Sequence, residues 1–157
     1  TNSEVFLVYM VQTIVLLIIF FFVPRLISKL SEERATQIAY LPRILGVIIA
    51  GSLIPSMIGI NSLLTAIIST SLMVSAFSIF SVSNSIILFK AIPKGFEGRY
   101  LGVNSFMVGV GIFSGALTAG YVSNMISYSA AFITAISILL FSLVMFRIYL
   151  IKLFNSI

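Results

Sequence analysis

The feature that most constrains this chain is a series of apolar stretches, each about 20 residues long or more, separated by short polar or basic segments. A helix of that length crosses a hydrocarbon core roughly 30 Å thick. Five stretches qualify: residues 5–23, 42–60, 62–89, 100–122 and 128–150. Runs such as 14–23 are continuously apolar rather than alternating, which excludes the two-residue period of a barrel strand. Lipid offers backbone N–H and C=O groups no partner, so each span must satisfy its own hydrogen bonds as a helix. The expected fold is an all-α, polytopic transmembrane bundle of about five spans. Pro24 and Arg25 are expected to close the first span. Pro42 is expected in the first turn of the second, where its missing N–H carries no penalty.

Composition agrees. The chain is 60% hydrophobic and 8% charged, against about 25% charged residues in a typical soluble domain. Its 157 residues suit one transmembrane domain with no added soluble one. The chain starts at Thr1, and the expectation is that it is a fragment or has lost its start. The net charge of +5 does not point to nucleic acid, because the basic residues lie in short segments between apolar runs. Arg25, Lys29, Arg34 and Arg43 surround the first loop, Lys90, Lys94 and Arg99 sit in the third, and Arg147 and Lys152 follow the last span. The loops near Asn61 and at 123–127 carry no charge. Basic loops face the cytoplasm, so the N-terminus is expected outside and the C-terminus inside a plasma membrane.

Catalysis lacks its parts. With no Cys, His or Asp, only a Ser–Lys pair could supply a nucleophile and a base. All four lysines are expected at the cytoplasmic surface, where nothing lowers their pKa. No catalytic residue, metal site or cofactor is expected, and the chain is not read as an enzyme.

Several polar and small residues inside the spans carry two readings each. Gly109, Gly111, Gly115 and Gly120, with Ser105 and Ala116, form small-residue pairs at i, i+4 in the fourth span. Such spacing lets helices pack closely, or lets one helix slide or rock on another. Ser71, Ser75, Ser78, Ser81 and Ser85 fall within roughly a third of the third helix's circumference. They line a water-filled cavity, or bond their own i−4 carbonyls within a packed interface. Gln12, near the middle of the first span, contacts substrate or a neighbouring helix. Asn84 and Asn104 invite the same two readings, with more weight on structural bonding. Arg147 is expected to snorkel to the headgroups.

The stretch Pro24-Arg25-Leu26-Ile27-Ser28-Lys29-Leu30-Ser31-Glu32-Glu33-Arg34 resembles the cytoplasmic loop between the second and third helix of each half in major facilitator superfamily transporters. Ser28 stands where that pattern has Gly, Glu32 where it has Asp, and the Gly after it is absent. Ile92-Pro93, then Arg99-Tyr100-Leu101-Gly102-Val103-Asn104-Ser105 with Gly109, Gly115 and Gly120, resembles the family's penultimate helix and its preceding loop. Tyr128, Ala131 and Phe132 resemble the start of its last helix. The resemblance implies helices eight to twelve of a twelve-helix permease, with the N-terminal half of the same transporter as partner. It implies secondary active transport of a small solute by alternating access. In that register Gln12, Ser75 and Ser78 are candidate substrate contacts, and Ser28, Lys29, Glu32, Arg34 and Arg99 form the cytoplasmic loop motif. The rival expectation is a small membrane subunit or scaffold of a larger complex, with no transport cycle of its own.

Overall fold

The computed structural model describes residues 2–51 and 61–154, and the regular elements among them are all α-helices. They are α1 (Asn2–Leu30), α2 (Glu32–Ala50), α3 (Ser62–Ala91), α4 (Glu97–Met125) and α5 (Tyr128–Phe154). Four of them, α1, α3, α4 and α5, are long and apolar enough to cross a membrane. Their outer surfaces present Phe6, Leu17, Phe21, Phe106, Phe113 and Phe141 in exposed positions, as lipid-facing helices do. The chain is a membrane-embedded helical protein. Residues 52–60, the second half of the expected second span, lie outside the described residues.

Two helix limits differ from the expected span limits. Pro24 does not end α1; the helix runs on to Leu30. Proline removes one backbone donor and would normally end or kink the helix there. Here the turn beyond it is held by packing: Val23, Ile27 and Ala35 are buried together, with Ile19, Ile79, Val82 and Ile86 against them. The Ser28 hydroxyl also donates to the Arg25 carbonyl at 2.9 Å. Pro42 is not in a first turn either. Helix α2 starts at Glu32, where Glu32 and Glu33 complement the positive end of the helix dipole, and Pro42 lies in its interior.

Between α1 and α2 the chain turns on the single residue Ser31, at φ 69° and ψ 156°. That region is close to glycine-only, and a side chain there carries strain of about 1–3 kcal/mol. Both backbone groups of the turn residue are used: Ser31 N–H donates to Ile27 O, and Ser31 O accepts from Ala35 N–H, both at 3.0 Å. At the N-terminal end of α3, Asn61 caps the helix by accepting from Leu63 N–H at 3.0 Å.

The centre of the bundle is the antiparallel pair α2 and α3. Glu32 at the start of α2 meets Lys90 at the end of α3, while Gly46 lies against Ser69 and Met73. The face of α2 that carries Ala35, Thr36, Ala39, Tyr40, Gly46 and Val47 is buried. Helix α1 covers α3 on one side, and α5 packs on α2 from the other. The α2–α5 contact includes a 2.9 Å hydrogen bond between Tyr40 Oη and Ser142 Oγ. The Tyr40 ring also meets Phe80 of α3 edge-on, with centroids 6.2 Å apart. Helix α4 leans mainly on α5 and has no buried residue.

A Cβ added at Gly46 would stand 2.9 Å from the Ser69 carbonyl oxygen and 2.9 Å from Met73 Cγ. The methionine can move, but the carbonyl belongs to the α3 backbone. Gly46→Ala should therefore push α2 from α3 and destabilise the detergent-solubilised protein by about 1–3 kcal/mol. Gly109→Ala, which meets nothing within 4 Å, should leave the thermal midpoint unchanged or slightly raised. Equal midpoints for the two variants would remove Gly46 as the close-approach point.

Candidate functional site

A cavity of about 330 Å³ opens between α2, α3, α4 and α5. Its size has a sequence cause. Gly115 and Ala119 on α4, and Ala131 and Ala135 on α5, place small side chains one turn apart on the walls. A Cβ at Gly115 would meet no atom within 4 Å. The remaining lining is largely apolar, from Val47, Met73, Ile138 and Leu139, with the hydroxyls of Thr118 and Thr134. The single charged side chain in the lining is Arg43.

By sequence Arg43 belongs with the basic residues around the first loop. The structure places it inside α2, about 16 Å along the axis from Glu32. It shares the cavity wall with Met73, Ile138 and Leu139, which stand near the middles of α3 and α5. Arg43 is exposed on the cavity wall, level with the middles of two helices long and apolar enough to cross a membrane. The signal in the sequence was the stretch before Pro42: Ala35, Ala39 and Tyr40 form a helical face that carries the helix back to Glu32. A span that begins at Pro42 leaves that face out.

The polar residues singled out from the sequence are not at this cavity. Ser78 is fully buried and donates to Val74 O at 2.9 Å, and Ser75 donates to Ser71 O at 2.7 Å. Ser85 does the same to Ser81 O. These hydroxyl protons are spent within α3, as serines in apolar helices commonly spend them. Ser83, off that stripe, has a buried hydroxyl with no partner among the described residues. Gln12 is half-buried on α1 and makes no hydrogen bond among the described residues. The fourth-span glycines meet no neighbour: a Cβ at Gly109, Gly111, Gly115 or Gly120 would find open space. The close helix contact expected there does not occur among the described residues.

At the other end of α2, the Lys90 ammonium hydrogen-bonds the Glu32 carboxylate. That bond, followed by the backbone N–H of Glu32 itself, holds the carboxyl below its ordinary value of 4.5. A lowered carboxyl contributes above the ordinary range and is lost as pH falls through the lowered value, so the contact is in force at neutral pH. Ser28, Lys29 and Arg34 are exposed on either side of Ser31, and Arg99 is exposed in the first turn of α4. Arg25 lies over the rings of Phe21 and Phe22, at 5.2 and 6.0 Å from their centroids. No group of His, Cys, Asp and Glu that could hold a metal occurs among the described residues.

Comparison with protein-family models, with curated proteins and with solved structures gives no match. The functional reading therefore rests on the geometry itself.

The chain has no cysteine, so single introduced cysteines report cleanly. Thr134→Cys, in the cavity wall, should react with a membrane-impermeant maleimide in intact membranes. Ser78→Cys, fully buried, should be protected. Equal protection of both would mean that water does not enter the cavity.

Proposed function

We propose that the chain is part of the C-terminal half of an alternating-access permease of the major facilitator type, and that it moves a small solute across the plasma membrane. The observation that carries this reading is an open cavity at the middle of a membrane bundle, walled by four helices and holding an arginine. Ionisable groups at that depth are costly and commonly mark a solute or ion pathway. Solute sites in secondary transporters lie near the bilayer midplane, between halves that rock about them. The bare glycine face of α4 fits the same reading, since the other half of the transporter would lie against this one. The reading requires a longer native polypeptide with further spans upstream, and the mass of the protein in its own membrane checks that.

The bare α4 face equally fits a scaffold subunit seated against a different partner, so the deciding test is access. A cysteine at Thr134 should be labelled from outside in right-side-out vesicles and from the cytoplasmic side in inverted ones. A scaffold would allow labelling from one side or from neither. The Glu32–Lys90 contact ties two cytoplasmic helix ends together and so favours one of the two states. Lys90→Gln should change the ratio of the two labelling rates without abolishing either.

Gln12 faces neither this cavity nor a described hydrogen-bond partner, and its candidacy is as a contact on α1 toward the transporter's other half. Gln12→Leu should slow solute uptake without preventing membrane insertion. Unchanged uptake kinetics would remove it from the pathway.

A further inference from the structure

We infer that the cavity binds a small organic anion, a compact apolar body bearing one carboxylate or similar group, with Arg43 as its charge partner. The inference rests on the cavity being the transport site and adds the class of solute.

Four observations lead there. First, Arg43 is the only charged residue in the lining, and it makes no ion pair or hydrogen bond among the described residues. Second, the acids of the chain are placed elsewhere. Glu32 is held by Lys90, and Glu97 accepts from Gly95 N–H in the turn before α4. Glu33 shares the first turn of α2, and Glu4 the first turn of α1. A positive charge at mid-depth is thus left for something that enters the cavity. Third, no carboxylate lines the walls, so a cation or the ammonium of a zwitterion meets only Arg43, which repels it. Fourth, the hydroxyl protons of Thr118 and Thr134 are given to Ser114 O at 2.8 Å and Ala130 O at 2.9 Å. In that arrangement their oxygens offer acceptors only, and an anion has one donor group to meet, the guanidinium. Its planar fork suits a carboxylate bidentately. The aliphatic remainder of the wall, Val47, Met73, Ile138 and Leu139, then selects an apolar body, and about 330 Å³ admits a small one.

The test uses benzoate, its neutral amide and benzylamine on the full-length protein in membrane vesicles, with Thr134→Cys as the reporter. Benzoate at ten times its Kd should slow maleimide labelling about tenfold, by simple occupancy. Benzamide and benzylamine at the same concentration should not. Arg43→Gln in the same background should lose the protection. Arg43→Lys, which keeps the charge without the fork, should retain a weakened part of it, and so covers the case in which the glutamine variant fails to fold. Protection by benzamide equal to that by benzoate would overturn the assignment, as would benzoate protection that survives Arg43→Gln. Labelling that benzoate does not slow would also overturn it, and would leave Arg43 as a structural charge paired with an acid on the neighbouring half. That result leaves the transport reading intact. Failure of Thr134→Cys to label at all, without any ligand, would overturn the water-filled cavity and both readings with it.

Discussion

In hydrocarbon an apolar side chain gains little by leaving lipid for protein, so the force that collapses a soluble core is largely absent here. Helices that stay together must do so by fitting closely and by the few polar contacts they share. In this chain both conditions are met along α2. Gly46 lets its backbone approach the Ser69 carbonyl of α3, Tyr40 bonds Ser142 of α5 while its ring meets Phe80, and Glu32 holds Lys90. These contacts are spread over the described length of the helix. They fix its register against two neighbours at once, and that register decides which residues stand at mid-depth.

Close packing along α2 and its absence along α4 belong together. The residues of α4 that permit tight packing, its glycines and alanines, face open space or the cavity, because α4 leans on α5 alone for most of its contact. A small-residue face has one physical property, the closeness it allows. Whether another backbone or a solute uses that closeness is decided by the neighbours, and sequence spacing does not encode them. That is why Gly115 and Gly120 can be read from the sequence as small while what lies against them cannot.

The same limit explains what was legible in this sequence. The all-α character and four of the five expected spans follow from lipid chemistry residue by residue, and the described helices carry both. Helix ends were less clear. Pro24 and Pro42 are local signals, and both are overridden by packing on either side of them: Val23 and Ile27 around the first, Ala39, Tyr40, Gly46 and Val47 around the second. Serine was ambiguous for a different reason: a hydroxyl can satisfy itself on its own helix, as Ser75 and Ser78 do, so a serine stripe carries no information about water. Arg43 reads as loop because it is a charge beside an apolar run, and its place inside α2 depends on where that helix begins.

Depth is what gives Arg43 its meaning. An arginine at the centre of a membrane helix opposes insertion by about 2.5–3.5 kcal/mol on insertion scales. A charge near a helix end escapes this by snorkelling, and Arg147, exposed near the C-terminal end of α5, can do so. Arg43 has α2 continuing in both directions, with Glu32 about 16 Å away along the axis, so the headgroups on that side lie beyond the side chain's reach. Its charge must therefore be met locally, by water or by an anion. Among the described residues the bundle provides a place for either in the space left by Gly115, Ala119, Ala131 and Ala135. The small residues and the arginine are on this view a single feature: one makes the room, and the other sets the sign of what occupies it.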